Sequence, residues 1–276
     1  NIGNLYNSGG ELTLTGQIVK GRAFTYTTTL NLTSFKNRIT KMPDNSPLIQ
    51  DGTKGYSVGH SIYDFYLRDY YGVDPENGNA LYKTDITTNN TKIIGRDTVT
   101  SVLGEANYRY TGDSAIPDLY GSMTHNFGYK NFSLDVQFNF QTGGKVYDGA
   151  YAALMHGGNY GTALHVDALN RWKNPGDVTN VPRLDNGQVA NFAGQSSRFL
   201  VDASYFQLNR VTLNYDLPKD WMTAIKAQSA SIYVSGENLA LASRRRGMFP
   251  GTSFNGTVGN NYNFSRTISV GVNVNF

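Results

Sequence analysis

The segment Phe132-Ser133-Leu134-Asp135-Val136-Gln137-Phe138-Asn139-Phe140-Gln141 alternates without a break between apolar and polar residues. Successive side chains of a strand point to opposite sides, so this stretch builds a strand with one greasy and one wet face. Residues 24–32 do the same, with mostly apolar or aromatic residues at even positions and Thr or Asn at odd ones. At the end of the chain Phe264, Ile268, Val270, Val272, Val274 and Phe276 share one face, and Ser265, Thr267, Ser269, Asn273 and Asn275 the other. Less regular strands are expected at 9–20, 119–129, 203–217 and 229–241, which makes seven.

These segments exceed the ~5 to 6 residues usual for globular sheets and suit the ~9 to 11 residues of a tilted strand crossing a bilayer. The connections sort into two kinds. Lys20-Gly21-Arg22 and Tyr129-Lys130-Asn131 read as tight turns and Leu217 to Gln228 as a modest one, whereas 34–118, 143–202 and 242–262 are long. Short turns facing the periplasm and long loops facing outward are the asymmetry of an outer-membrane barrel. If the last strand descends to the periplasm, every short connection falls inside and every long one outside. The expected fold is therefore all-β, an antiparallel transmembrane β-barrel with long extracellular loops. A soluble sandwich needs turn signals every ~8 to 12 residues and seldom carries so long a loop as 34–118.

Composition supports this reading. Of 276 residues only 39% are apolar and 16% charged, yet 19 Tyr and 14 Phe give an aromatic share that a disordered polar chain does not carry. No apolar run reaches the ~18 residues of a spanning helix, an observation that does not bear on strands. With no Cys, the chain lacks a disulfide scaffold and thiolate metal ligands. A net charge of +3, with scattered Lys and Arg, argues against nucleic acid as a partner. The sequence starts at Asn1 without a basic, apolar leader, so any targeting segment is expected to be removed or to lie upstream.

Particular stretches also carry a resemblance. The ending Gly271-Val272-Asn273-Val274-Asn275-Phe276 resembles the last strand of outer-membrane barrels. Tyr205-Phe206-Gln207-Leu208-Asn209-Arg210-Val211-Thr212-Leu213-Asn214-Tyr215-Asp216-Leu217-Pro218, followed by Ile232-Tyr233-Val234-Ser235-Gly236-Glu237-Asn238-Leu239, is similar to the closing region of the SusC/RagA family of TonB-dependent transporters of the Bacteroidota. Val58 to Tyr66, Gly72 to Gly78 and Arg171-Trp172-Lys173-Asn174-Pro175-Gly176-Asp177 also look like that family, so the similarity runs in order along nearly the whole chain.

The resemblance implies a 22-stranded barrel with an N-terminal plug, importing oligosaccharides or peptides beneath a SusD-like surface lipoprotein and energised by a TonB complex. It also implies that the terminal aromatic Phe276 is the signal for the barrel-insertion machinery. Seven strands are odd and too few, and an open sheet would leave unpaired edges in lipid at several kcal/mol per backbone group. The chain is accordingly expected to be the C-terminal part of a larger barrel, with the plug and TonB-contacting segment outside it. Its partners would be the rest of that barrel and its plug, outer-membrane lipid, the lipoprotein and the TonB complex. A passive porin or adhesin barrel, and a soluble carbohydrate-binding β-domain, are the competing readings.

No enzymatic motif stands out. The four His show neither HExxH nor paired spacing, and no nucleophile elbow or phosphate loop is present, so no catalytic residue, cofactor or metal is assigned. Asp74-Pro75-Glu76-Asn77-Gly78-Asn79 clusters oxygen ligands but lacks EF-hand spacing and reads as a turn. Gln141-Thr142-Gly143-Gly144-Lys145 reads as a strand exit.

The candidate binding residues lie in the predicted outer loops. Tyr147, Tyr151, Tyr160, Arg171, Trp172 and Phe192, with Asn159, Asn170 and Asp185, suit stacking on sugars or gripping peptide backbone, and serve equally as packing anchors. Arg244-Arg245-Arg246 can meet lipid phosphates, an acidic substrate or partner carboxylates, or be a solvated loop. Asp135, Gln137 and Asn139 are expected to line the lumen or face the plug.

Overall fold

The computed structural model describes residues 3–187, 194–259 and 262–276. Seven strands form one antiparallel sheet in sequence order: β1 (Asn4–Lys20), β2 (Phe24–Lys41), β3 (Leu119–Tyr129), β4 (Phe132–Thr142), β5 (Tyr205–Asp216), β6 (Ser229–Ser243) and β7 (Thr267–Asn275). All seven expected strands are present. Three run further than alternation indicated, to Asn4, Lys41 and Ser243, and β5 and β7 begin later, at Tyr205 and Thr267, so the long connections become 42–118, 143–204 and 244–266. The last strand starts late: Phe264 precedes β7, and its ring packs edge-on against Phe249 at 5.5 Å instead of joining the outward column.

Register confirms the two-faced reading. One ladder row on the apolar face runs Val19, Tyr26, Phe127, Leu134, Leu213, Val234, Val270 across the whole sheet. On the other face the rows run Asn126, Asp135, Thr212, Ser235, Ser269 and Thr124, Gln137, Arg210, Glu237, Thr267. Hydrogen bonds knit this polar face, as between Asn31 and Ser122 at 3.2 Å and between Thr212 and Ser235 at 2.8 Å. His125 is a polar side chain on the apolar face, where an unpaired group is costly. Its Nδ1 is hydrogen-bonded to the Tyr26 hydroxyl at 2.8 Å and to that of Thr28 at 3.2 Å, which offsets part of that cost.

Aromatic rows mark both ends of the apolar band. Phe24, Tyr129, Phe132 and Tyr215 share the row beside the short turns, and Phe140 and Phe206 share a row near the long connections. Phe132 and Phe140 are separated by about 27 Å of strand at ~3.4 Å per residue. A tilt of ~40° leaves about 20 Å of height, close to the apolar band of outer-membrane barrels. Gly121 sits beneath Phe140: a Cβ there would lie 2.0 Å from the Asn31 carbonyl oxygen, so only Gly lets the strands approach under that ring.

The short connections are built as turns. Lys130 takes a left-handed φ of 52° between β3 and β4, and a helix at Lys219–Ile225 closing on left-handed Lys226 fills the link between β5 and β6. The long connections, read from the sequence as loops, are themselves folded. In 42–118 the strands Leu48–Asp51, Lys54–Ser57, Asp64–Arg68 and Tyr108–Ser114 form one four-stranded sheet, and Tyr70–Val73, Ala80–Lys83, Asp97–Thr100 and Thr91–Ile94 form another. Lys145–Asp148 pairs with Leu200–Asp202 and, in parallel, with Thr257–Val258, tying the second connection to the third. Phe65 and Leu67 of the first connection share a core with Met155 and Phe199 of the second. The three connections therefore form one cap with its own buried interior.

Candidate functional site

The pairing of Lys145–Asp148 with Thr257–Val258 brings the second and third connections side by side at a cavity of about 240 Å³. Asp148 ends its strand and caps the helix Gly149–Leu154, where its Oδ1 accepts the Tyr151 backbone N–H at 2.9 Å. Its Oδ2 receives Nε of Arg245 at 2.5 Å. The Arg245 guanidinium lies 3.6 Å from the Tyr151 ring centroid, a cation–π contact that adds to the ion pair. Tyr151 donates its hydroxyl to Asp167 Oδ2 at 2.8 Å, and the His165 ring stands edge-on to it at 4.8 Å.

Burial pushes the Tyr151 phenol up, as do the hydrogen bond to the Asp167 carboxylate and its charge, with Arg245 opposing; Tyr151 stays a protonated donor. Asp148 is 4% exposed, so removing Arg245 would strand a buried carboxylate. Arg245 thus latches two connections together. Arg246 lines the same cavity with Leu154, His165 and Asn263 and is exposed, so it can offer charge to a ligand.

The structure divides the sequence-derived candidates by role. Tyr151, Arg245 and Arg246 meet at this cavity. Tyr147 does not: it is 7% exposed in the core against Phe199, because its strand is covered on both faces, with Val146 buried in a second cluster on the other parity. Tyr160 is 96% exposed at the surface. Trp172 is a clamp, with Nε1 donating to the Pro75 carbonyl oxygen at 3.0 Å and its ring over Gly78, where left-handed φ and the indole leave no room for a Cβ. Arg171 folds back to the Ala168 carbonyl oxygen at 3.4 Å. Arg244 points away from the cavity to a groove on the apolar side of the sheet. Phe192 lies outside the described residues. Asp135, Gln137 and Asn139 share the polar face of β4, and Phe276 follows β7 on the apolar parity.

The turn Asp74 to Asn79 closes on Asp74, whose carboxylate accepts from Glu76 N–H, Asn77 and Lys92, the last at 2.5 Å. Burial alone would raise the Asp74 carboxyl; these donors outweigh it and hold the group below its ordinary range. Among the described residues no set of His, Asp and Glu side chains gathers as a metal site.

Sequence reasoning missed the face of the first cap sheet opposite Phe65 and Leu67, where Tyr66, Arg68, Tyr108 and Tyr110 lie together. Arg68 lies over the Tyr108 ring at 4.2 Å, and His60 stacks on Tyr110 at 3.4 Å. The signal was the alternation in Asp64-Phe65-Tyr66-Leu67-Arg68, whose buried parity is Phe65 and Leu67.

Comparison with known proteins agrees with this architecture. The chain is 27% identical over 316 aligned residues to TonB-dependent receptor P3 of Formosa agariphila, which covers 100% of this chain and 29% of that protein. It is 28% identical to TonB-dependent receptor P26 of the same organism, covering 100% of this chain and 30% of that one. TonB-dependent receptor SusC of Bacteroides thetaiotaomicron is 24% identical, with 100% of this chain and 27% of that protein covered. No family model matches.

Among solved structures, the RagAB peptide importer in its closed-closed state superposes with a TM-score of 0.84 at 23% identity, over 99% of this chain and 30% of that one. The open-open state gives 0.79. The chain thus spans under a third of the length of these relatives. Its sheet is part of an outer-membrane β-barrel, similar in sequence to TonB-dependent receptors and in fold to RagA.

Proposed function

We propose that this chain, kin to the TonB-dependent receptors, supplies the C-terminal strands and outer cap of an energised importer that carries oligosaccharides or peptides inward without altering them. The observation that supports this most directly is the sheet: its seven strands pair in sequence order, with short turns at one end and a folded cap at the other. One face is apolar between aromatic rows and the other is a polar hydrogen-bonded ladder, as a lipid face and a lumen require. Among the described residues β1 and β7 pair on one side only, so in this reading further strands of the same barrel meet both edges.

In this reading the connections 42–118, 143–204 and 244–266 face outward, where a SusD-like lipoprotein docks. Asp135, Gln137 and Asn139 line the lumen or contact a plug, Tyr151 and Arg246 meet ligand at the cavity, exposed Tyr160 offers a partner contact, and Phe276 serves barrel insertion. The test is cysteine labelling in the receptor carrying this chain, in intact cells. A hydrophilic thiol reagent should modify Asp135→Cys, Gln137→Cys and Asn139→Cys but not Leu134→Cys, Val136→Cys or Phe138→Cys. Uptake of labelled oligosaccharide or peptide should also stop when TonB coupling is removed. Uptake that continues would replace this reading with a passive porin, and equal labelling on both parities would remove the barrel orientation.

A further inference from the structure

The three adjacent arginines at the end of β6 do not form one patch. The outward column of β6 runs Ile232, Val234, Gly236 and, after the irregularity near Asn238, Ala240 and Ala242. Its next member is Arg244. On β2 the outward column Leu30, Leu32 likewise gives way to Ser34, Lys36 and Arg38 above the level of Phe140. On both strands the column turns from apolar to polar and cationic just beyond the aromatic row, the depth at which lipid phosphates lie.

Below Arg244 is a groove of about 740 Å³, lined by Met123, Phe140, Phe206 and Ala242 at its apolar end and by Ser204 and Arg244 at its polar end. These residues belong to the four strands in the middle of the sheet, β3 to β6, and to the ends of their connections. Strands added at β1 or β7 to close the barrel would leave this groove uncovered. Asp202 also lines it, but its carboxylate is engaged by the Ser204 N–H at 2.7 Å, and Lys145 and Arg244 both act on it favourably. Arg244 is thus the cation at the polar end of an apolar trough, and Lys145, outside the lining, helps to balance Asp202.

We propose that this groove is a binding site for a phosphate-bearing lipid of the outer leaflet, with an acyl chain along Met123, Phe140 and Phe206 and the phosphate on Arg244. The proposal rests on the outward placement of the long connections given above. A guanidinium suits a phosphate because its planar fork donates two parallel hydrogen bonds, and the apolar end supplies the fit to a chain. Arg245 is paired with Asp148, and Arg246 lines the cavity beside it and not this groove, so neither competes for this role.

The experiment uses the receptor carrying this chain, purified with native outer-membrane lipid and read by native mass spectrometry, with heat-shifted electrophoretic mobility as the check that the barrel is folded. The unaltered receptor should retain a phosphate-bearing lipid through detergent exchange, and Arg244→Glu should lower retention at least fivefold. Ala242→Trp, which fills the groove and keeps the arginine, should lower it similarly. Arg246→Glu should leave it unchanged, the same lipid stripped of phosphate should bind at least fivefold less, and inorganic phosphate should not displace it.

Equal retention in Arg244→Glu and the unaltered receptor, displacement by inorganic phosphate, or a partner polypeptide in place of lipid would each overturn the proposal. Because lipid retention is read without transport, a failure here is separate from a failure of energised uptake.

Discussion

Phe65, Leu67, Val99, Val146 and Phe199 of the cap are 0% exposed, whereas Leu12, Leu14, Leu213, Val234 and Ile268 of the sheet are between 44% and 70% exposed. The same residue types thus serve two solvents. In the cap, apolar side chains leave water by packing on one another across three connections, so its stability resides in a shared interior. In the sheet they touch their neighbours along the ladder rows but have no second layer over them among the described residues and are directed at hydrocarbon, while strand pairing and the polar ladder hold the backbone. A core substitution should therefore damage the cap and spare the sheet, and a charge on the outward face should do the reverse.

The largest expected effect is in the cap interior. Phe199→Ala removes a ring that packs at once on Tyr147 and Tyr151, at centroid distances of 6.1 Å and 6.0 Å. Truncation of a buried Phe costs about 3 to 5 kcal/mol. Limited proteolysis of the assembled barrel should then cut within 143–204 while β1 to β7 stay protected. Cleavage of the strands as well would show that cap and sheet are one cooperative unit.

Arg245→Leu follows, because it leaves Asp148 buried and without its cation; breaking such a pair costs about 3 kcal/mol or more. Adding Asp148→Leu to the first variant should recover most of that loss, and a double-mutant cycle on the rate of proteolysis measures it. No recovery would mean that Asp148 matters as a helix cap instead of as the partner of Arg245.

On the sheet the contrast is carried by parity alone. Val211→Arg places a charge on the lipid face at the level of Val136, midway between the aromatic rows of Phe132 and Phe140, and should cost ~2 to 4 kcal/mol, whereas Thr212→Arg, one residue away on the polar face, should cost much less. Folding into lipid vesicles across a urea series distinguishes the two. Similar losses at both positions would refute the assignment of the faces.

Most of the sheet was legible because a strand between two solvents writes its faces into a period of two over ten or more residues. The cap was not, for a physical reason. Its strands are short, as in Lys54–Ser57 or Ala80–Lys83, and are covered from several directions, so alternation has no room to show. The arginine triplet is an intermediate case. Its position was visible, but its division was not read, although the parity of Ala240 and Ala242 already sends Arg244 outward. Trp172 had a packing role and a binding role open to it, and only the contact with Pro75 and Gly78 distinguishes the clamp.

The smallest effect concerns Lys54, a buried cation in the cap. Its Nζ donates to the Tyr63 carbonyl oxygen at 2.7 Å and sits 3.3 Å from the Phe65 ring centroid. Burial lowers its pKa to about 7, against the opposing pull of Asp64. Below pH 7 the ammonium is present in both folded and unfolded cap, and the folded state bears the cost of burying it. Above pH 7 the folded cap gives up the proton while the unfolded one keeps it, so stability should rise with pH toward the ordinary lysine range.

The buried phenols of Tyr70 and Tyr147, each pushed up to about 12 chiefly by burial, act in the opposite sense above their ordinary value of 10.0. The useful window therefore lies between pH 7 and about 9.5. Amide hydrogen exchange at Phe65 and Leu67, corrected for intrinsic rates, should slow across that window and lose its slope in Lys54→Met. Exchange in β3 and β4 should show no such slope. An unchanged slope in Lys54→Met would assign the effect to another group and remove Lys54 from the account of cap stability.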